Sequence, residues 1–282
     1  MTENTATSLR LLACQLNIPN IATVAERDQH LQETAAKIRK QLSQRPADLV
    51  VLPELSSIDY ARYTFDQLHE LAECHRGASF EVFSELAKEL AVAVVYGFPA
   101  RRNQQYTICQ AAVSAGGRLI GVYDKLHIAH YGTSMEKDYF VRGTHLLVFE
   151  HLGIRIAPII CYDIRFPELC QTLATKHKVQ LILHSGAYFR DASFPSWHQF
   201  AVTRAMENQV YLLSLNRAGK DYGDSLFCPP WMDTNHPFEI FDKENEDFKY
   251  LTFDAQAINR ARRYPFKEDR LDDYHGLSLH EL

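Results

Sequence analysis

The sequence predicts an α/β fold, and three observations carry that prediction. Short apolar runs rich in β-branched residues alternate with amphipathic patterns of helical period. Several runs are apolar at nearly every position, as in Ala91-Val92-Ala93-Val94-Val95, which marks strands covered on both faces. No Pro/Gly/Ser-rich linker, low-complexity tract or internal repeat interrupts the alternation, so residues 1–282 read as a single domain.

In chain order, a first strand is expected over 9–16. A helix follows over 24–42, where Leu31, Ala35, Ile38 and Leu42 form one stripe opposite Lys and Gln. A strand over 48–52 precedes a helix over 80–90, whose stripe is Val82, Phe83, Leu86 and Leu90. Strands are expected over 91–98, 106–113 and 119–123, with Gly116-Gly117 turning between the last two. Two more follow over 146–150 and 154–160. Pro167, whose missing N–H costs nothing in a first turn, opens a helix over 167–177, and Asp163 upstream is placed to satisfy turn donors. The rest reads as a strand over 179–184, a helix over 197–208, and strands over 210–215 and 250–253. From Arg263 the chain turns polar and charged, so 263–282 is expected to be a C-terminal arm, lying on the surface or packed on a second subunit.

Composition excludes several function classes. Apolar residues make up 46% and charged residues 23% of the 282, close to the globular average and enough for a large core, which excludes a disordered or fibrous chain. Thirty Lys and Arg against 35 Asp and Glu leave a formal charge of −5, no footprint for nucleic acid. The densest basic stretch, 260–267, is broken by Tyr264, Pro265 and Phe266. No run approaches the roughly 18 apolar residues of a membrane span, and the polar start lacks the apolar centre of a secretory signal. Six cysteines without a C-x-x-C pair, in a chain large enough to fold without disulfides, point to reduced thiols in a cytoplasmic setting. His127 and His130 gather no further ligand cluster, so no metal is expected.

Chemistry in layered α/β proteins collects at the carboxyl ends of strands. Three strands here run into residues that are costly to bury: Glu54 after Leu52-Pro53, Lys125 after Tyr123-Asp124, and Cys161 after Ile159-Ile160. Cys161 precedes a helix, whose N-terminal dipole favours a thiolate. Glu54, if buried, suits a group that acts as both base and acid. Lys125 suits an oxyanion holder. Each residue taken singly also has a structural reading: an inert core thiol, a carboxylate in solvent or capping a helix, and a snorkelling surface lysine.

Together these segments resemble the nitrilase (carbon–nitrogen hydrolase) superfamily. Leu49-Val50-Val51-Leu52-Pro53-Glu54, Tyr123-Asp124-Lys125-Leu126-His127 and Ile160-Cys161-Tyr162-Asp163-Ile164-Arg165-Phe166-Pro167-Glu168-Leu169 are similar to its three catalytic blocks, in order and spacing. Cys14-Gln15-Leu16, the segment from Glu136 to Gly143, and Arg204-Ala205-Met206-Glu207-Asn208 match further blocks. The resemblance implies a four-layer α-β-β-α sandwich, usually dimeric or a higher homo-oligomer, with no metal and no organic cofactor. It implies thiol-dependent hydrolysis of a small linear amide: Glu54 as proton carrier, Cys161 as nucleophile, and Lys125 with the Tyr162 backbone N–H on the oxyanion. Glu136 would orient Lys125 or a substrate proton, its other reading being a surface acid beside Lys137.

Tyr-Asp-Ile-Arg-Phe-Pro-Glu after Cys161 resembles the omega-amidase and small-amide branch, where Arg165 would hold a distal carboxylate; its other reading is an ion pair, as with Glu168. N-carbamoyl hydrolysis, nitrile hydrolysis and non-catalytic small-molecule binding on the same fold are the alternatives. The sequence departs from the related amidases over 184–196, a loop expected to line the substrate pocket with Tyr188, and over 223–237.

Overall fold

The computed structural model describes residues 8–130 and 134–263. The strands are β1 (Ser8–Gln15), β2 (Leu49–Val51), β3 (Ala93–Arg102), β4 (Gln105–Val113), β5 (Leu119–Asp124), β6 (Phe149–His151), β7 (Ile154–Ile160), β8 (Leu181–Ser185), β9 (Tyr211–Leu215), β10 (Leu226–Cys228), β11 (Glu239–Ile240) and β12 (Asp247–Asp254). The helices are α1 (Val24–Gln44), α2 (Arg62–Phe65), α3 (Leu68–Leu71), α4 (Ala78–Leu90), α5 (Pro167–Thr175), α6 (Phe194–Asn208) and α7 (Ala255–Ala261), with short 3-10 turns at Glu136–Asp138 and Cys161–Arg165.

The strands form two six-stranded sheets, ordered β12-β1-β2-β3-β4-β5 and β11-β10-β9-β8-β7-β6. Each has a parallel centre: β1, β2 and β3 in the first, β7, β8 and β9 in the second. Period-two alternation divides their side chains. Leu9, Leu11 and Ala13 of β1 pack with Leu181, Leu183, Leu213 and Leu215 between the sheets. Leu12 and Cys14 face outward onto Leu31, Ala35 and Ile38 of α1 and Phe83 and Leu86 of α4. On the far side Ile182 and Leu212 pack under Leu173 of α5 and Trp197 and Ala201 of α6. The result is four layers, α-β-β-α.

The long periodic elements stand where the sequence places them. α1 begins with a reciprocal cap, Thr23 Oγ1 accepting from the Glu26 N–H and Glu26 Oε2 accepting from the Thr23 N–H. β3 runs past the expected 98 to Arg102, because Arg102 pairs with Gln105 across a tight turn whose Asn103 adopts φ 57°. β12 starts at Asp247 and pairs with the whole of β1. α2, α3, α7, β10 and β11 were not expected. All but α7 are four residues or fewer, too short to display a period. Residues 264–282, most of the expected arm, lie outside the described residues.

This topology brings the carboxyl ends of β2 and β5 to one edge of the first sheet. β5 lies two antiparallel steps from β3 and so runs in the direction of β2. The Glu54 turn rests directly on β3, where only glycine fits: a Cβ on Gly97 would stand 2.5 Å from the Pro53 carbonyl oxygen and 2.6 Å from the Leu55 nitrogen.

Candidate active site

Glu54, Lys125 and Glu136 meet in the interior at that edge, each side chain fully buried. Lys125 Nζ donates to Glu54 Oε1 at 2.8 Å and to Glu136 Oε1 at 2.7 Å. The remaining carboxylate oxygens are held by backbone: the Ala187 N–H donates to Glu54 Oε2 at 2.9 Å, and the Ala129 N–H to Glu136 Oε2 at 2.9 Å. Tyr60 Oη donates to Glu136 Oε1 at 2.7 Å. Two carboxylates around one ammonium leave an excess negative charge away from water, which favours uptake of a proton. Burial accordingly raises the Glu54 carboxyl, against Lys125 and with Glu136, to about 7. Burial opposes the charge on Lys125, but Glu136 and Glu54 outweigh it and hold the ammonium well above its ordinary range.

Cys161 is the first residue after β7 and adopts φ 44°, a left-handed conformation unusual for a residue with a Cβ. It is partly exposed and shares a cavity of about 50 Å³ with Tyr60, Ala129, Ser134, Glu136, Ala187 and Tyr188. At roughly 10–15 Å³ per water-sized group, that is room for a small head group of a few atoms. The expected thiolate is corrected here. Burial and the Glu54 carboxylate push the Cys161 thiol well above its ordinary range, against the pull of Lys125. The helix dipole does not rescue it, because α5 begins only at Pro167 and Cys161 sits in a five-residue 3-10 turn instead. The Cys161 thiol is thereby favoured in its neutral form, in the same small site as a carboxyl poised near neutrality.

Asp163 ties the two halves of the site together. Its fully buried carboxylate accepts from Tyr123 Oη at 2.7 Å and the His127 N–H at 2.9 Å on one side, and from the Ile160 N–H at 3.0 Å on the other. The turn-donor role expected of Asp163 is met and extends to the segment carrying Lys125.

Tyr188 lines the cavity, and its hydroxyl donates to the Cys161 carbonyl at 2.8 Å. Its backbone is clamped by Asn216, which accepts from the Tyr188 N–H at 2.8 Å and donates to the Tyr188 carbonyl at 3.1 Å. This clamp positions the adjoining Ala187 N–H on Glu54. Arg165 stands elsewhere: it is not among the cavity-lining residues. Its guanidinium carbon lies 4.9 Å from the Phe200 ring centroid, and Nη2 is 3.4 Å from Ser196 Oγ. Among the described residues, the charged ones lining the cavity are Glu136 and Asp191, both acids.

Gly223 and Ser225, at the start of the 223–237 segment, hold Asn216, while the later part of that segment borders a hollow that Cys161 does not line. Pro229, Pro230, Trp231, Asp233 and His236 border a hollow of about 280 Å³ with Tyr211 and Arg260, larger than the Cys161 cavity but without a cysteine or serine. Among the described residues, no three His, Cys, Asp or Glu side chains are grouped to hold a metal ion. Sequence reasoning missed Tyr60, Asn216 and His184, the last of which sets its Nε2 3.0 Å from the Cys161 carbonyl oxygen. His184 and Asn216 left a signal, each a polar side chain at the end of an apolar strand.

The sequence pattern of the carbon–nitrogen hydrolase family matches residues 10–248. A probable nitrilase of Schizosaccharomyces pombe is 28% identical over 274 residues, covering 93% of this chain and 96% of its own. An omega-amidase of Homo sapiens is 29% identical over 285 residues, covering 95% and 97%. In fold, a nitrilase-superfamily protein of Saccharomyces cerevisiae superposes with a TM-score of 0.81 at 22% identity, over 96% of this chain and 97% of the other. The chain belongs to the carbon–nitrogen hydrolase family of the nitrilase superfamily and is an enzyme resembling the omega-amidases.

Proposed function

We propose that this enzyme hydrolyses a small linear amide to a carboxylic acid and ammonia through a thioester on Cys161. The observation that carries the reading is the buried Glu54–Lys125–Glu136 cluster, with its 2.8 and 2.7 Å contacts, beside the Cys161 cavity. Charges are not kept this deep without strong compensation. In the proposed sequence Glu54 takes the Cys161 proton as the sulfur attacks the amide carbon. Lys125 and the Tyr162 N–H hold the oxyanion, a contribution worth about 100-fold or more per donor. Glu54 then gives its proton to the leaving nitrogen, and the thioester remains. Water, deprotonated by Glu54, attacks the thioester carbon, and the Cys161 sulfur leaves with the proton. A carboxyl raised to about 7 suits this alternation between base and acid.

Uncharged amides as substrates are supported by the charged side chains that line the cavity among the described residues, Glu136 and Asp191. The test is ammonia release across amides, carbamoyl compounds and nitriles, each with and without a terminal carboxylate. Turnover of short neutral amides is expected. Release of carbon dioxide with ammonia would favour carbamoyl hydrolysis, and nitriles consumed while amides are refused would favour a nitrilase. We further propose a homodimer or higher homo-oligomer, as the family resemblance implies; a monomer by light scattering at micromolar concentration contradicts it. Among the described residues no helix is long and apolar enough to cross a membrane. A cytoplasmic setting is part of the same proposal, supported by six cysteines with no disulfide among the described residues.

A further inference from the structure

We propose that a buried relay of Trp197, Ser214 and His184 fixes the peptide joining Cys161 to Tyr162 and so aims its N–H as the oxyanion donor. His184 is then a positioning residue for the reaction at Cys161. The inference rests on the amidase reading above and names how its oxyanion site is held.

The parallel register of β8 and β9 sets His184 beside Ser214, and both side chains are buried on the helix-covered face of the sheet. Trp197 of α6 closes over them. An indole N–H can only donate, so Ser214 Oγ accepts from Trp197 Nε1 at 2.7 Å. That leaves the serine's own proton free to be donated to His184 Nδ1, also at 2.7 Å, and the contact of Nε2 with the Cys161 carbonyl requires it. With Nδ1 accepting, a neutral imidazole carries its proton on Nε2. Nε2 lies 3.0 Å from the Cys161 carbonyl oxygen, which can only accept. The opposite tautomer would set two lone pairs against each other at that distance. Burial lowers the His184 pKa to about 4, so the ring stays neutral near neutral pH.

Tyr188 adds a second donor to the same carbonyl at 2.8 Å, and its ring stacks on Trp197 with centroids 4.5 Å apart. The Cys161 carbonyl is thus held from two directions, both anchored on Trp197. A trans peptide is rigid and planar, with C=O and N–H on opposite edges. Fixing the carbonyl toward His184 and Tyr188 therefore fixes the Tyr162 N–H in the opposite direction. The φ of 44° at Cys161 needs such external support, because side chains with a Cβ rarely hold it unaided.

The test combines kinetics with direct observation of the tautomer. Nitrogen-15 NMR of the wild-type enzyme is expected to show His184 neutral, with its proton on Nε2. A proton on Nδ1 overturns the relay whether or not any amide is turned over. On an amide that wild type hydrolyses, Ser214→Ala and His184→Leu are expected to lose about 10-fold or more in kcat with KM changed less than about two-fold. Ser214→Thr and His184→Gln, which keep a hydroxyl and a side-chain N–H donor, are expected to recover most of that loss. Unchanged kcat in the first pair overturns the proposal. So does a loss that follows the melting temperature and is not restored by the conservative pair. Should the first pair fail to fold, Tyr188→Phe, which removes one O–H from the same carbonyl, is expected to lower kcat about three-fold or more; no change there overturns the proposal as well. A wild-type enzyme inactive on every amide would defeat the amidase reading, and the NMR result would still decide the relay.

Discussion

Lys125 stands between Glu54 and Glu136 with all three side chains fully buried, so the cluster holds one more negative than positive charge. That imbalance, with burial, is why the Glu54 carboxyl rises. A carboxyl raised in this way is protonated at low pH and becomes a base as pH rises. kcat/KM is therefore expected to climb through an acid limb near neutrality. Glu136→Gln removes the like charge that raises Glu54 and leaves Lys125 to Glu54 alone. Both changes lower the Glu54 pKa, so the limb is expected to move to lower pH by about one unit or more. A pH–rate series on the two proteins checks this, and a limb that stays or moves upward contradicts it. Arg165 gives a second residue-scale prediction. Because it packs on Phe200 outside the cavity, Arg165→Ala is expected to affect anionic and neutral amides equally, within about two-fold in kcat/KM. A loss confined to anionic amides would restore the carboxylate clamp.

The elements hold these side chains through a few close approaches. Gly97 of β3 lies against the backbone on both sides of Glu54, and backbone cannot swing aside as a flexible side chain can. Gly97→Ala is expected to displace Glu54 and lower kcat by about 10-fold or more, since displacements near 1 Å can cost about 100-fold. Full activity in that variant would show that the Glu54 turn is not held by β3. Asp163 joins the turn after β7 to the segment after β5. Asp163→Ala strands several buried donors and is expected to cost about 3–5 kcal/mol in urea unfolding. A cost under about 1 kcal/mol would mean that those donors find other partners. Glu54, Lys125 and Cys161 were legible in the sequence because each is a reactive side chain at the end of an apolar strand. Tyr60, Asn216 and His184 were not, because their roles depend on pairings the folded sheets create: His184 meets Ser214 only through the β8–β9 register.

At the scale of the whole molecule, the apolar layer between the sheets and the helix-covered layers on either side carry the stability. Leu213 is fully buried between the sheets among side chains from both, whereas Leu152 is 55% exposed. Leu213→Ala is expected to cost about 2–5 kcal/mol and Leu152→Ala less than about 0.5 kcal/mol, read by urea unfolding. Comparable losses would contradict the division of the core drawn here. The layered architecture was readable because its strands and long helices repeat their period over many residues. The short strands β10 and β11 and the segment 223–237 were not, since no periodic signal survives at that length. Both sheets exist, on this account, to present one sulfur to a carbonyl beside a shared proton. The most direct test is intact-mass spectrometry of the enzyme quenched in acid during turnover of a small amide. An acyl adduct on the wild-type chain, lost in Cys161→Ala, is the expected result. Turnover with no adduct at any quench time, or an adduct that survives in Cys161→Ala, would contradict the account.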